Sequence, residues 1–163
     1  MKISVNYKTI LLLLFTLCSS VLIVAYISQY VFDHKPCILC LYQRIPYFFI
    51  VVASATGLIL LKNERLTQIM IILSILALLT NSAIAFYHSG VEQKVFKMTE
   101  KCDDPLSSLI SLQELRQAIN NTKIAKCDEP SFFFLGLSMA VWNMIFSFSL
   151  AILTIFLYKR RQT

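Results

Sequence analysis

Four long apolar segments constrain the fold of this 163-residue chain more than any other feature. They cover residues 9–31, 38–61, 66–87 and 132–158. Each holds about 20 residues or more, the helical length that crosses a bilayer core of roughly 30 Å. These spans must be helical, because lipid offers no partner to an unpaired backbone amide. The sequence therefore predicts an all-α membrane protein, a four-transmembrane-helix bundle forming a single domain over residues 1–163.

Composition and charge agree with a membrane bundle and argue against a nucleic-acid-binding protein. Hydrophobic residues make up 57% of the chain and charged residues only 15%, too apolar for a soluble domain of this size. The net charge of +6 is not gathered on a soluble face. Six of the fifteen basic residues are spread through the long third connection, where seven acidic residues offset them. Seven others flank the spans at the two termini and the second connection, at Lys2, Lys8, Lys62, Arg65, Lys159, Arg160 and Arg161. The expected partner is thus the lipid bilayer, with no nucleic acid, and both termini are expected in the cytoplasm.

The cysteines provide a second argument for orientation. Cys37 and Cys40 lie at the first connection between spans, and Cys102 and Cys127 lie in the third. In a four-span protein these two connections share one side of the membrane. Only an oxidising compartment would use both pairs as disulfides, so residues 32–37 and 88–131 are predicted to be periplasmic loops. The fifth cysteine, Cys18, lies mid-span and is expected to pack as a small apolar side chain.

The long third connection contains one segment with a helical pattern. Asp104 and Pro105 are typical of an N-cap followed by proline at the first helical position. Apolar residues then recur at steps of mostly three and four as far as Ile119. This pattern predicts a short amphipathic helix that lies on the bilayer surface or packs on the end of the bundle. In either place it separates Cys102 from Cys127.

The start of the second span combines features that favour a reactive thiolate. Pro36 suits the first turn of a helix, which would place Cys37 and Cys40 where unpaired amides and the helix dipole favour negative charge. Arg44 follows on the same helical stripe. An arginine in a membrane helix costs up to roughly 2.5–3.5 kcal/mol at the bilayer centre. It either extends to the headgroups or supports a thiolate and polarises an oxygen of a bound electron acceptor.

A Cys-x-x-Cys pair also occurs in other kinds of site. Haem attachment is excluded because Leu41 stands where histidine is required. A four-thiolate zinc site is disfavoured because Cys102 and Cys127 are far apart in sequence, and no metal is expected. A non-catalytic scaffold with two structural disulfides is the more serious alternative. However, a bridge within Cys-x-x-Cys closes a small ring and is more often reactive than structural.

Polar residues of the third span complete the candidate site. His88 follows the apolar run and would donate a proton or hydrogen bond to a carbonyl of a bound acceptor, or simply cap a helix end. Asn81 lies inside the span and is expected to form a hydrogen bond between helices. Gln29, near the end of the first span, is expected at the membrane interface.

Together these motifs resemble the bacterial disulfide bond formation protein B family (DsbB), including its DsbI branch. The resemblance covers nearly the whole chain. It rests on Pro36-Cys37-Ile38-Leu39-Cys40 with Gln43-Arg44, Tyr87-His88-Ser89-Gly90-Val91-Glu92, the Cys102/Cys127 pair, Phe134-Leu135-Gly136-Leu137-Ser138 and Trp142-Asn143. It implies a thiol:quinone oxidoreductase of the bacterial inner membrane. Such an enzyme reoxidises a periplasmic thioredoxin-like, DsbA-like oxidase and passes the electrons to the membrane quinone pool, ubiquinone or menaquinone.

The resemblance also implies a role for each cysteine. The partner would form a mixed disulfide with Cys102, and the freed Cys127 would attack Cys37. Cys40 would leave as the thiolate that reduces the quinone, with Arg44 and His88 at the quinone site. A vitamin K epoxide reductase-like enzyme is an alternative, disfavoured because the Cys-x-x-Cys pair begins the second span and not the last.

Overall fold

A computed structural model of the chain describes residues 6–34, 36–97, 127 and 133–162. Within these ranges it contains four long helices: α1 (Tyr7–Tyr30), α2 (Ile38–Ile59), α3 (Glu64–Glu92) and α4 (Met139–Gln162). All four are long and apolar enough to cross a membrane. The predicted four-helix membrane bundle is confirmed. Cys102 and the predicted amphipathic helix lie outside the described residues.

The bundle interior is apolar and closely packed. Short connections make α1 and α2, and α2 and α3, neighbours, and α4 packs mainly against α3. Leu14, Ile50, Ile71 and Leu78 are fully buried where the helices meet. Cys18 is buried in the same cluster, as its mid-span position predicted. Large apolar side chains cover the outside of the bundle, which is the surface that lipid requires.

Two helix boundaries place the candidate residues. α2 starts at Ile38, so Cys37 is its N-cap and not part of its first turn. α3 continues to Glu92, beyond the predicted end of the third span at Tyr87. Hydropathy falls where polar residues begin, whereas backbone hydrogen bonding continues through them. His88 and Glu92 therefore lie one turn apart on the same helix face.

A tight reversal follows α3. The backbone N–H groups of Val95 and Phe96 both donate to the carbonyl oxygen of Gly90. The Phe96 ring lies against the Gly90 Cα, and a Cβ added there would be only 2.1 Å from a ring carbon. Phe96 also stacks on Tyr87, with ring centroids 5.8 Å apart. Only glycine fits this approach, which anchors the start of the long loop to the end of α3.

The fourth helix begins later than predicted. Phe133–Phe134 (β1) pairs antiparallel with Leu137–Ser138 (β2), and α4 starts at Met139 rather than at residue 132. The turn residues Leu135 and Gly136 have φ values of 51° and 78°, as a two-residue hairpin turn requires. Hydropathy does not distinguish such an apolar hairpin from a helix, so the predicted fourth span wrongly included the hairpin residues.

Candidate functional site

Cys37 and Cys40 form a dithiol at the start of α2. The sulfur of Cys37 accepts a hydrogen bond from the Cys40 backbone N–H at 3.3 Å, which caps the helix. The Cys37 thiol in turn points to the Cys40 sulfur, with the two Sγ atoms 3.0 Å apart. Cys37 is buried and Cys40 half-buried. The two sulfurs are therefore close enough to be joined by a small side-chain rotation.

The two thiols of the pair are not equivalent. The hydrogen bond to Cys40 and burial raise the pKa of Cys37 to about 12, although a hydrogen bond to His88 acts in the opposite direction. Cys37 therefore keeps its proton at neutral pH when the pair is reduced. Any negative charge on the dithiol belongs to Cys40, which lies in the first helical turn.

His88 lies beside this pair and is almost fully buried, with 2% of its surface exposed. Its Nε2 is 3.4 Å from Cys37 Sγ, and its Nδ1 is 3.1 Å from Nε2 of Gln43. The carboxylate of Glu92 lies 3.7 Å from His88 Nε2. The imidazole thus contacts a reactive sulfur directly, a contact that its position in the sequence did not indicate.

Arg44 is held by α1. Its guanidinium donates to Oε1 of Gln29 at 2.5 Å and lies 5.0 Å from the centroid of the Tyr26 ring. A hydrogen bond and a cation–π contact thus stabilise the charge at half-buried depth. Gln29, expected only at the interface, is the partner that orients Arg44.

Behind His88, buried polar side chains connect three helices. Asn143 of α4 donates from Nδ2 to Gln43 Oε1 at 2.8 Å, and its Oδ1 accepts from the Tyr47 hydroxyl. Asn81 of α3 donates to Ser147 Oγ at 2.8 Å. The expected interhelical hydrogen bond of Asn81 is confirmed. These polar groups pair with one another inside the bundle, as an apolar surrounding demands, except that Asn81 Oδ1 accepts no hydrogen bond among the described residues.

A cavity of about 400 Å³ opens beside the dithiol. Cys37, Cys40, Arg44 and His88 all line it. Each of the four helices contributes residues to the cavity wall, and all of these residues lie in the same half of the bundle. The wall is largely apolar, and its lining residues include Val21, Leu22, Val24, Met139, Trp142 and Phe146. This volume lies within the range of small-molecule sites, roughly 300–1,000 Å³. The cavity can therefore hold a small, largely apolar molecule beside the thiols.

Comparison with known proteins assigns the chain. A sequence model of the family described as "Disulfide bond formation protein DsbB" matches residues 7–157. This chain belongs to the DsbB family. An uncharacterised protein of Rickettsia prowazekii (strain Madrid E) is 32% identical over 149 residues, covering 90% of this chain and 85% of the relative.

Relatives named Disulfide bond formation protein B also match this chain. The protein of Xanthomonas axonopodis pv. citri (strain 306) is 29% identical over 154 residues, which cover 90% of this chain and 87% of the relative. The protein of Blochmanniella floridana is 29% identical over 147 residues, which cover 86% of this chain and 82% of the relative. Membership of the DsbB family supports a role in disulfide formation for this multi-pass membrane protein.

In this DsbB family member, the structure brings together most of the candidate residues. Cys127 is buried in one side-chain cluster with Cys37, Leu39 and Val91. One cysteine of the long loop thus lies next to the helical pair. Cys102, its expected partner, lies outside the described ranges.

The site also has donor atoms of a kind that bind metal. Those of Cys37, Cys40 and His88 all lie within 4.8 Å of one another. In a tetrahedral zinc site with Zn–S bonds of 2.3 Å, two sulfurs are about 3.8 Å apart. The separation of 3.0 Å between Cys37 and Cys40 is shorter and better suits a pair that forms a bond.

Apart from Asn81, the polar residues behind His88 had no role predicted from the sequence. Gln43 and Asn143 had entered only as part of a motif, and Tyr47 and Ser147 not at all. The available signal was an amide or hydroxyl inside an otherwise apolar span, which needs a partner within the protein. The sequence could not indicate that these side chains meet, because they lie on different helices.

Proposed function

We propose that this protein is a quinone-dependent thiol oxidase of the bacterial inner membrane. It reoxidises a periplasmic thioredoxin-like, DsbA-like partner and passes the electrons to membrane ubiquinone or menaquinone. One observation carries the proposal: the Cys37–Cys40 dithiol opens at a helix start onto a cavity that Arg44 and His88 also line. Disulfide formation is the role that the family supports, and this cavity is where its electrons would leave.

The residues around the cavity fit a quinone. Its largely apolar walls suit a ring and the start of an isoprenoid tail, while Arg44 and His88 offer hydrogen-bond donors near the thiols. A bound quinone supplies a two-electron, two-proton acceptor. The Arg44 guanidinium stabilises negative charge, and its contacts with Gln29 and Tyr26 hold it at the cavity wall.

The thiol chemistry runs from the loop pair to the helical pair. The partner dithiol reduces the Cys102–Cys127 disulfide through a mixed disulfide at Cys102, which leaves Cys127 as a thiolate. Cys127 attacks the Cys37 sulfur, so the Cys37–Cys40 bond breaks and Cys40 leaves as a thiolate. Burial of Cys127 in the Cys37 cluster supports this step, and the start of α2 favours the thiolate at Cys40.

The second thiol of the partner attacks its mixed disulfide with Cys102, which releases the oxidised partner and frees Cys102 as a thiolate. The cycle closes when Cys102 displaces Cys37 from Cys127. This restores the loop disulfide and leaves Cys37 and Cys40 reduced. Loss of two electrons and two protons then rejoins their sulfurs. The net reaction converts one partner dithiol and one quinone into one partner disulfide and one quinol.

The proposed function also implies an orientation of the bundle in the membrane. Lys159, Arg160 and Arg161 form the last turn of α4, and Lys62 lies between α2 and α3. Positive residues at this end favour the cytoplasm. The dithiol at the opposite end of α2 then faces the periplasm, where a soluble oxidase can reach the loop cysteines.

Purified protein in liposomes tests the function directly. With a reduced thioredoxin-like oxidase and ubiquinone, we expect one quinone to be reduced for each partner disulfide formed. Omitting quinone should stop thiol oxidation after at most two partner dithiols per enzyme, one for each of its two disulfides. A scaffold with structural disulfides would instead leave the quinone oxidised and its own cysteines resistant to a mild dithiol, and that result would overturn the proposal.

Removing the charge of Arg44 is expected to weaken quinone use more than partner use. In Arg44→Gln, the apparent KM for quinone should rise about 10- to 100-fold, because a hydrogen bond to a charged group contributes about 1.5–3 kcal/mol. The KM for the reduced partner should be unchanged. Arg65→Gln is the matched control, since Arg65 is exposed at the opposite end of the bundle. Equal effects of both substitutions would argue against a quinone contact at Arg44.

A further inference from the structure

The buried polar side chains behind His88 form a chain of hydrogen bonds with one consistent direction. It begins at Asn81, whose Nδ2 donates to Ser147 Oγ at 2.8 Å. The Ser147 hydroxyl lies 2.8 Å from the Tyr47 oxygen, and the Tyr47 hydroxyl donates to Asn143 Oδ1. Since Tyr47 has a single proton and gives it to Asn143, the Ser147 hydroxyl is the donor to Tyr47.

The same direction continues through the two amides. Asn143 Oδ1 is occupied by Tyr47, so its Nδ2 is the group that faces Gln43, and it donates to Gln43 Oε1 at 2.8 Å. The Gln43 oxygen is thereby committed as an acceptor. Its Nε2, which can only donate, lies 3.1 Å from His88 Nδ1. Gln43 is itself 7% exposed and cannot turn to water instead.

This arrangement decides where the imidazole carries its proton. A neutral histidine has one N–H, and the hydrogen bond at one ring nitrogen fixes the state of the other. His88 Nδ1 accepts from Gln43, so the proton lies on Nε2, the atom 3.4 Å from Cys37 Sγ. The Glu92 carboxylate also favours a proton on Nε2, because it lies 3.7 Å from that nitrogen and carries a negative charge.

We propose that Gln43 is a positioning residue that holds His88 in the Nε2-protonated tautomer and so directs a hydrogen-bond donor at the Cys37 sulfur. Asn143 and Tyr47 serve this by fixing the orientation of the Gln43 amide. The proposal deepens the proposed function and rests on it for its catalytic meaning. The tautomer itself does not depend on quinone or on a partner.

The donor matters when the Cys37–Cys40 bond re-forms. Cys37 must then lose its proton and bond to Cys40 as the dithiol gives up two electrons to the quinone. Burial disfavours a negative charge on the Cys37 sulfur, whereas an N–H that donates a hydrogen bond to this sulfur stabilises the thiolate. The other titratable or charged groups near this point, among the described residues, are Cys40 and Arg44 on α2, Glu92 on α3, His34 before α2 and Cys127 of the long loop. Of these, Cys40 and Glu92 disfavour a second negative charge, so the His88 donor has to oppose them.

Nitrogen-15 spectroscopy of histidine tests the tautomer directly. The chain has two histidines, so a His34→Gln variant assigns the His88 signals. In reduced protein near neutral pH, we expect Nε2 protonated and Nδ1 bare. Gln43→Met should give a mixture of tautomers, whereas Gln43→Glu should place a proton on Nδ1, because a carboxylate can only accept there. Identical ring signals in wild type and both variants would overturn the proposal.

A second measurement follows the thiol. The rate of Cys37 alkylation at a fixed pH, read by peptide mass spectrometry, should shift downward about tenfold in Gln43→Met, because less of the thiol is then ionised. Ser54→Ala is the matched control, since Ser54 is fully buried on the same helix and its Oγ has no hydrogen-bond partner among the described residues. An equal shift in Ser54→Ala would mean that Gln43 acts only through general packing. Neither measurement needs quinone, so both remain decisive if the proposed oxidase activity is absent.

Discussion

Cys40→Ser is expected to abolish catalytic turnover. The rate of partner reoxidation should fall by at least about three orders of magnitude, the scale of losing a group that forms the reacting bond. Serine at this position can neither leave as a thiolate nor rejoin Cys37, whose sulfur lies 3.0 Å away. The measurement is quinone reduction in liposomes with excess reduced partner.

Cys18→Ala is the matched control for that loss. Cys18 is fully buried in the apolar core of the bundle, away from the dithiol cluster. Its replacement should leave turnover within about twofold, after any loss of folded protein has been taken into account. If Cys40→Ser retained turnover comparable to Cys18→Ala, the relay through the helical pair would be wrong.

Cys127→Ala is expected to trap the partner. Without Cys127, Cys102 is a free thiol, and it attacks the disulfide of the oxidised partner to form a mixed disulfide. No Cys127 thiolate can then release Cys102, so the adduct should accumulate in cells. Non-reducing electrophoresis would detect an adduct that disappears on reduction, and mass spectrometry would identify the bound protein. Turnover should fall as severely as in Cys40→Ser, because electrons no longer reach Cys37.

The double variant Cys102→Ala, Cys127→Ala provides the control for the adduct. It should form none, since it lacks the thiol that attacks or receives the partner. An adduct that persisted in the double variant would assign partner binding to Cys37 or Cys40 instead. That result would place the entry of electrons at the helical pair and remove the loop cysteines from the proposed relay, while leaving the four-helix fold untouched.

Much of the architecture followed from local sequence properties. Spans such as 9–31 and 38–61 could be predicted from the sequence because a long apolar segment in lipid must be helical. The closeness of Cys37 and Cys40 followed from their spacing at a helix start, and Asn81 had to find a partner inside the bundle. Each of these predictions depends on one segment and its surroundings.

The remaining features depend on which segments meet. The hairpin at Phe133–Ser138 has the same apolarity as the helix that follows it, and only the turn at Leu135 and Gly136 separates the two. Likewise, Arg44 finds Gln29 on another helix, and His88 meets Gln43 across the bundle. Hydropathy contains no information on such pairings, because they arise from the rotation of each helix about its own axis.

The cavity lies entirely within one half of the bundle. Its lining comes from the end of α1, the start of α2, the end of α3 and the start of α4, all next to the connection at residues 31–37. In the proposed oxidation, the dithiol electrons and their protons are exchanged within this half. No charge then crosses the thickness of the membrane, so turnover would be electrically silent. The enzyme would neither draw on the membrane potential nor build it, and its driving force would be the difference in reduction potential between thiols and quinone alone.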